Sequence, residues 1–407
     1  MNTNPIFTLL EEREQEWTTL RREFHRLPEL MYDVDRTSER IAELLDSYGL
    51  EVQRNVGNHF GKGVIGLLRG SKPGKTILLR ADMDALPIQE RNDVDYRSSI
   101  DGAMHACGHD AHVTMLLAAA YGLSQHREAL AGEVRFVFQP AEEGAAESPL
   151  DGRLLSGGRD MVESGAADGV SASFAFHVWP GLPVGHAAVH RKYAMAASSH
   201  FQVSFRGRSG HHGAQHLAAD ALLMTAHFVT ETRAAVASAV NPFEPTAFAF
   251  GKMEAGTVIN AIAETGQIEG TYRAFEPSTV ERIRHIIEQC ANACAERFGG
   301  EAEIRFRMGK ALINDEAAVT LVVAAAEKVF GSARASVLDQ PSLAGEDFSY
   351  YLDHSPGAMV LIGVGNEERG IIHPLHHPQF DLDEHVLVLG AKLHVQLVLD
   401  TLAGGLE

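Results

Sequence analysis

The chain has 407 residues, of which 45% are hydrophobic and 22% are charged, the mixture typical of a folded globular protein. Its formal net charge is −19, from 54 acidic and 35 basic side chains, which disfavours binding to phosphate backbones and anionic lipid. We therefore expect no nucleic-acid partner and no membrane association, and an anionic substrate would need a local cationic clamp.

The amino terminus and the cysteines indicate the cellular compartment. The first segment, MNTNPIFTLLEEREQEW, lacks the basic region and the long apolar stretch of a signal peptide. No window reaches the roughly eighteen uninterrupted apolar residues of a membrane span. Three cysteines, a small and odd number, do not suit a disulfide framework. These features predict a cytoplasmic protein.

Helix-like and strand-like stretches alternate through the first half of the chain. Helical spacing of apolar residues begins near 15–27 and 36–48 and returns at 113–123. Short apolar runs typical of buried strands occupy residues 64–68, 76–79, 134–138 and 174–178. This alternation predicts an α/β domain with a mostly parallel central sheet flanked by helices.

The pattern changes near residue 194. The following segment reads as strand 201–205, helix 217–240, strands 246–252 and 267–274, helix 277–298 and strand 302–307. It predicts a smaller α+β domain, residues 194–309, with its own core. We expect it to be inserted into a catalytic domain formed by residues 1–193 and 310–407, with the active site in the cleft between the two.

Four polar clusters lie beside strongly apolar segments. Three of them, ADMD at 81–84, AEEG at 141–144 and HVWP at 177–180, follow an apolar strand-like run. The fourth, MHACGHDAH at 104–112, precedes an apolar helix. Ligands of open α/β sheets bind beyond the carboxyl ends of strands, so these clusters are expected to converge. Groups rich in Cys, His, Asp and Glu on one rim indicate a metal site.

Each of these residues also has an ordinary structural interpretation. A lone cysteine such as Cys107 is usually a small core residue, and a glutamate pair is usually a solvated turn. However, Glu142 and Glu143 follow a strongly apolar strand and a proline, where solvation explains them poorly. In a two-metal site one carboxylate can hold a cation while its neighbour activates water.

The remaining histidines and cysteines are not resolved by spacing alone. Two histidine-rich segments occur, and their members are His211, His212 and His216 in the first and His373, His376 and His377 in the second. Such loops are often surface accidents, and spacing does not choose among their members. Cys290 and Cys294, four residues apart on a predicted helix, are interpreted as structural.

Taken together, the motifs resemble a known family. RADMDALPI, MHACGHDAH, FQPAEEG, FHVWP, SGHHGAQH, GTYR, GEDF and LHHPQFD occur in the order found in the aminoacylase and carboxypeptidase superfamily of two-metal hydrolases. The resemblance extends from about residue 22 to residue 398. It is strongest to the branch of hippurate hydrolase, N-acetyl-amino-acid deacetylases and plant auxin-conjugate amidohydrolases.

The resemblance implies roles for individual residues. The implied metal ligands are Cys107, His109, Glu143, His177 and His376, and choosing His376 over His377 rests on motif alignment alone. Glu142 is implied as the general base. Apart from the resemblance, we expect Asp82 to orient a ligand histidine or a metal. His211, Asn260 and Arg273 of the inserted lid or dimerisation domain are implied to meet the substrate, Arg273 as a carboxylate clamp.

Three positions in the inserted domain depart from the usual pattern of the branch. Gln215-His216 stands where Pro-His is common, Ala261–Glu264 lacks a usual proline, and His200 stands where an acidic residue is frequent. All three lie outside the implied metal and base positions. They therefore bear on the substrate more than on hydrolysis.

We expect a metal-dependent amidohydrolase that cleaves N-acyl amino acids of the hippurate or N-acetyl type. The implied cofactors are two divalent cations, Mn²⁺ or Zn²⁺, with Co²⁺ or Ni²⁺ also compatible with Cys, His and Glu ligands. A homodimer through the inserted domain is a further implication. Dipeptide cleavage and deamination of an aromatic amine are the alternatives at the same site.

Two hypotheses from other classes remain open at this point. A thiol hydrolase with Cys107 as nucleophile would resist chelators and be inactivated by thiol reagents. A metal-binding protein without catalysis would not require the spare glutamate of the Glu142-Glu143 pair.

Overall fold

A computed structural model describes residues 4–405, which divide into two compact units. Unit 1 consists of residues 1–194, 313–340 and 347–407 insofar as they are described, and unit 2 of residues 195–312 and 341–346. The helices are α1 Pro5–Glu12, α2 Glu14–Arg26, α3 Asp35–Ser47, α4 His109–Ser124, α5 Gly157–Glu163, α6 Ala221–Ala239, α7 Pro277–Phe298, α8 Glu316–Phe330 and α9 Val386–Asp400.

The first strands in chain order are β1 Glu51–Val56, β2 Gly63–Arg69, β3 Lys72–Asp82, β4 Ala131–Gln139, β5 Ala146–Glu147, β6 Leu154–Leu155, β7 Ala172–Pro183, β8 Ala187–His190 and β9 Tyr193–Met195. Those that follow are β10 Ala197–Arg206, β11 Ala247–Ala255, β12 Thr265–Ala274, β13 Glu301–Arg307, β14 Leu312–Ile313, β15 Ala335–Leu338 and β16 Gly357–Gly365.

Unit 1 is built on an eight-stranded sheet with the order β1-β2-β4-β3-β7-β16-β8-β15. The four central strands β4, β3, β7 and β16 run parallel, whereas β1, β2 and the β16–β8 pair add antiparallel contacts. The predicted fold class, an α/β protein with a mostly parallel central sheet, is confirmed. Because the central strands share a direction, their carboxyl ends meet at one edge, where Asp82 pairs in register with Gln139.

Helices α4 and α9 supply much of the core of unit 1. Nearly every residue of α4 is buried, as expected for a helix that is apolar all round. By length and composition Val386–Gly404 could cross a membrane, but 61% of that window is buried inside the protein. It packs against α4 and α8, so it is a core helix of this unit.

Unit 2 is an antiparallel sheet of order β11-β12-β10-β13 with α6 and α7 against one face. Alternation along β10 buries Phe201, Val203 and Phe205 under these helices and leaves His200 on the opposite face. The sequence predicts a helix from residue 217, but α6 begins at Ala221. The reason is local, because the Asp220 carboxylate accepts the N–H groups of Leu222 and Leu223 and so caps the helix just before Ala221.

Candidate metal centre

The CGHD segment forms the turn into α4. Gly108 caps the helix with φ +82°, and a Cβ at this position would lie 2.4 Å from Cγ2 of Val178. Both its backbone conformation and its close packing therefore require glycine. The turn places Cys107 and His109, both buried, on either side of that glycine.

His177 reaches the same place from the central sheet. It lies within the predicted strand 174–178, which the structure extends at both ends to β7. Its Nδ1 donates to the carbonyl of Val178 at 2.8 Å, which assigns the proton to Nδ1, so Nε2 accepts from the thiol of Cys107 at 3.4 Å. Burial lowers the pKa of His177 to about 3, so the ring stays in the neutral, metal-ligating form.

The AEEG turn follows β4 and is anchored by Asp84. Ala141 has φ +48°, a strained conformation for a residue with a Cβ, and its N–H donates to the carbonyl of Met31. The N–H groups of Glu142 and Glu143 donate to Oδ1 and Oδ2 of Asp84 at 3.0 and 3.2 Å. Sequence reasoning gave Asp84 no role, although its position two residues after Asp82 was a usable signal.

The histidine-rich carboxyl-terminal segment contributes one ring to the cluster. His376 has φ +62°, its N–H donates to the carbonyl of Ala106, and its Nε2 lies 3.3 Å from Oε1 of Glu143. The neighbouring His377 instead stacks on His373, with ring centroids 4.3 Å apart. Of the two adjacent histidines, His376 is thus the one beside the glutamate.

The candidate ligand atoms converge in three overlapping groups. Their atoms lie within 4.8 Å of one another in each group, and the groups are Cys107, His109 and His177, then Cys107, Glu143 and His376, then His109, Glu142 and Glu143. All of these residues belong to unit 1. Cys, His and Glu are the donor set of zinc and related cations, so the residues present fit two cations.

The electrostatics of the cluster also fit a cation. Among the described residues, both ring nitrogens of His109 and Oε1 of Glu143 are buried without a hydrogen-bond partner. Such unsatisfied polar atoms are costly unless something else binds them. Burial opposes protonation of His109, but the negative charges of Asp82, Asp84 and Glu143 prevail and raise its pKa to about 10. The pocket is therefore rich in negative charge.

The environment of Cys107 argues against a thiol nucleophile. Burial, and then the charges of Glu143, Glu142 and Asp82, raise the pKa of the thiol well above its ordinary value. A nucleophilic cysteine needs the opposite, a pKa lowered by cationic neighbours. The cysteine suits a metal ligand, because a bound cation stabilises the thiolate.

Asp82 holds a histidine that the sequence analysis did not single out. Its Oδ1 accepts from Nδ1 of His112 at 2.6 Å, and Nε2 of His112 accepts the N–H of Val178 at 2.9 Å. Burial disfavours an ionised Asp82, but positive charge at His109 and Arg80 and the bond from His112 hold its pKa well below the usual range. Both nitrogens of His112 are engaged, so it orients its neighbours.

The remaining expected site residues lie in unit 2. His211 and Asn260 are exposed on neighbouring segments, where His211 bridges Ala261 and the N–H of Gly213 donates to Nδ1 of His211. Arg273 is half-buried on β12, and burial lowers its pKa. Burial and then the charges of Arg307 and Arg273 lower the pKa of His200 to about 4, so this ring is neutral near pH 7.

Comparisons with known proteins agree with this geometry. A family model described as Peptidase family M20/M25/M40 matches residues 78–400. The chain is similar to thermostable carboxypeptidase 1 of Saccharolobus solfataricus, with 34% identity over 93% of this chain and 94% of that protein. It is also similar to N-acetyl-L-cysteine deacetylase of Bacillus subtilis, with 33% identity over 95% of this chain and 90% of that protein.

A solved structure of the same family is also similar to this chain. A Bacillus subtilis protein described as a dinuclear metal-binding peptidase of the M20 family superposes with a TM-score of 0.80. The two chains share 29% identity, and the match covers 97% of this chain and 99% of the other. Together with the converging ligand atoms, this likeness supports a centre for two divalent cations.

Proposed function

This chain belongs to peptidase family M20/M25/M40 and is a metal-dependent hydrolase, and from that premise we propose that it hydrolyses the amide bond of N-acyl amino acids. The products are a carboxylic acid and a free amino acid. The observation that carries this proposal is the glutamate pair: Glu143 lies 3.3 Å from His376 in the ligand cluster, and the adjacent Glu142 reaches the same cluster, where its carboxylate can transfer a proton.

In the proposed mechanism Glu142 takes a proton from the attacking water and delivers it to the leaving nitrogen. Two divalent cations, held by Cys107, His109, Glu143, His177 and His376, would supply Lewis acidity when bound. We propose Zn²⁺ or Mn²⁺, which these ligand types suit.

We also propose substrate contacts for three side chains of unit 2. His211 and Asn260 would meet the reacting amide, and His211 would donate to the oxyanion that develops there. Losing one such donor costs about 3 kcal/mol in the barrier. The guanidinium of Arg273 would pair with the carboxylate of the amino-acid part, as its two-pronged geometry allows.

The base assignment is tested with Glu142→Gln, which keeps the shape of the side chain and removes its basicity. We expect kcat to fall by about 10²–10⁴ while metal content, measured by plasma mass spectrometry, stays at the wild-type value. Glu147→Gln, an isosteric change at an exposed carboxylate of the nearby strand β5, is the matched control. A Glu142→Gln enzyme with roughly half the wild-type kcat would contradict the assignment.

Carboxypeptidase activity is the second candidate, since one similar protein carries that name. A product screen of the metal-loaded enzyme against hippurate, N-acetyl amino acids and dipeptides separates the two. Turnover of dipeptides with no release from N-acyl amino acids would replace the proposal with the alternative.

Two further proposals concern the context of the enzyme. The three cysteines are all free thiols, which supports a cytoplasmic location. We also propose a homodimer through the inserted unit, which sedimentation of the purified protein would test.

A further inference from the structure

A buried chain of polar side chains extends away from Asp82 and takes no part in the mechanism above. Its members are Arg80 on β3, Gln139 at the end of β4 and Asp347 at the start of the helical turn Asp347–Asp353. All lie in unit 1, and Arg80 is among the largest fully buried side chains of the protein. A buried guanidinium is costly unless it has a defined set of partners.

The guanidinium of Arg80 donates a hydrogen bond from each of its three nitrogens. Nη1 donates to Oδ2 of Asp82 at 2.6 Å and Nη2 donates to Oδ1 of Asp347 at 2.9 Å. Nε donates to Oε1 of Gln139 at 3.0 Å. Since Arg80 and Asp82 are two residues apart on β3, their side chains lie on the same face of the strand.

Asp347, the member of this series of polar side chains farthest from Asp82, also has several hydrogen-bond partners. Oδ1 of Asp347 also accepts from Nε2 of Gln139 at 2.8 Å, and Oδ2 accepts from the N–H of Gly158 at 2.7 Å. A Cβ on Gly158 would lie 2.8 Å from this carboxylate, so the close approach depends on glycine. Asp347 is therefore fixed by both a strand and a helix start.

The near end of the chain faces the cation centre. Oδ1 of Asp82 binds His112, and Oδ2 lies 3.7 Å from Nε2 of His109, a proposed ligand. If Arg80 released Oδ2, the carboxylate could rotate and its bond to His112 would weaken. Asp82 would also lose the neighbouring positive charge of Arg80, in a pocket that already holds several carboxylates.

We propose that Arg80 and Asp347 are positioning residues of the cation centre, which act as a buried relay that fixes the orientation of Asp82 and, through it, of His109 and His112. The inference rests on the metal centre of the proposed function and is independent of the substrate. Removing a partner that lies one contact beyond a ligand typically lowers metal affinity by about 10–100-fold.

The test measures Zn²⁺ affinity of the full chain by competition with a chromophoric chelator, without any assay of turnover. The variants are Arg80→Lys, which keeps the charge but loses the planar fork, and Asp347→Asn, which keeps the shape. We expect each to bind Zn²⁺ about 10–100-fold more weakly than the wild type.

Two control variants show whether any loss of Zn²⁺ affinity is specific to Arg80 and Asp347. Each control changes a buried or partly buried polar side chain outside this series. Arg135→Lys changes an arginine of the neighbouring strand β4 that donates to the carbonyls of Ala166 and Asp168. Asp160→Asn changes a buried carboxylate that accepts the N–H groups of His59 and Phe60. Both controls should bind Zn²⁺ within about threefold of the wild type, a smaller change than loss of an outer partner causes.

The double variant Arg80→Lys with Asp347→Asn gives a second readout. If Arg80 and Asp347 act through the same contact with Asp82, their losses of Zn²⁺ affinity overlap. The double variant should then bind Zn²⁺ only a little more weakly than the weaker-binding single variant. Zn²⁺ affinities of both single variants within the range of the controls, or strictly additive losses, would overturn the inference. A wild type that binds neither Zn²⁺ nor Mn²⁺ would instead contradict the metal centre of the proposed function. If Arg80→Lys does not fold by circular dichroism, the isosteric Asp347→Asn carries the test.

Discussion

Gly108 shows how one residue can determine both the backbone and the chemistry of the site. Its positive φ lets the chain turn into α4, and its missing Cβ leaves room for the side chain of Val178. The proposed ligands Cys107 and His109 lie immediately before and after it. Any movement of this turn therefore displaces two ligands at once.

We predict that Gly108→Ala both destabilises the fold and weakens metal binding. The φ of +82° costs about 1–2 kcal/mol for an L-residue, and the contact with Val178 adds to it. Gly102→Ala is the control, because Gly102 has φ +76° with no atom within 4 Å of the added Cβ. Urea unfolding and Zn²⁺ titration should show a larger loss for Gly108→Ala. Equal losses for the two variants would rule out the packing argument.

Residues of the candidate site differ in how far a sequence can predict them. Cys107 and His109 lie in a short motif, so local spacing indicates them. Arg80 and Asp347 meet across 267 positions of the chain, and no local pattern connects them. Likewise, the sequence places His112 in the MHACGHDAH cluster, but only the structure shows its bonds to Asp82 and Val178. Long-range polar pairing is thus what the sequence leaves out.

At the scale of elements, the strong patterns gave accurate bounds and the weak ones did not. The predicted helix 277–298 coincides with α7, which starts with a proline in its first turn and ends at Gly299 in the left-handed conformation. Strand β1 was not predicted, because it is a mostly exposed edge without clear alternation. Strand β8 is short and alanine-rich, a composition with low strand propensity.

We predict that the cap of α6 can be removed at a measurable cost. The Asp220 carboxylate accepts the N–H groups of Leu222 and Leu223 at 2.9 and 3.3 Å. Asp220→Ala should lower the free energy of unfolding by about 1 kcal/mol, while Asp220→Asn, which retains a capping oxygen, should change it by less. Hydrogen exchange in the first turn of α6 should speed up only in the alanine variant. Unchanged exchange in both would show that the cap contributes little.

On the scale of the whole molecule, buried neutral histidines should make the fold sensitive to acid. Burial lowers the pKa values of His105, His177 and His394 to about 3. The unfolded chain, with ordinary values near 6.5, binds protons that the folded chain does not bind between about pH 3 and 6.5. The stability that these three neutral histidines contribute is therefore fully present above about pH 6.5. It is lost progressively as the pH falls towards 3.

The prediction is sharpest for His394, which stacks on Phe176 with ring centroids 3.6 Å apart. His394→Phe should remove about 2 kcal/mol of the stability lost between pH 7.5 and pH 5. His285→Gln, at a side chain 63% exposed, is the control and should leave the pH dependence as it is. Urea unfolding across this range, with a chelator present throughout, measures the difference. Identical pH dependence in His394→Phe and the wild type would contradict it.

The shared carboxylate of Asp84 has a consequence for redesign of this enzyme. Because the carboxylate of Asp84 accepts from the backbone N–H groups of both Glu142 and Glu143, one side chain holds the proposed base and the proposed cation ligand in place. Removing the carboxylate, as in Asp84→Ala, would release both backbone N–H groups at once. Attempts to retune the base alone must therefore act on the Glu142 side chain and its surroundings, leaving the tether untouched.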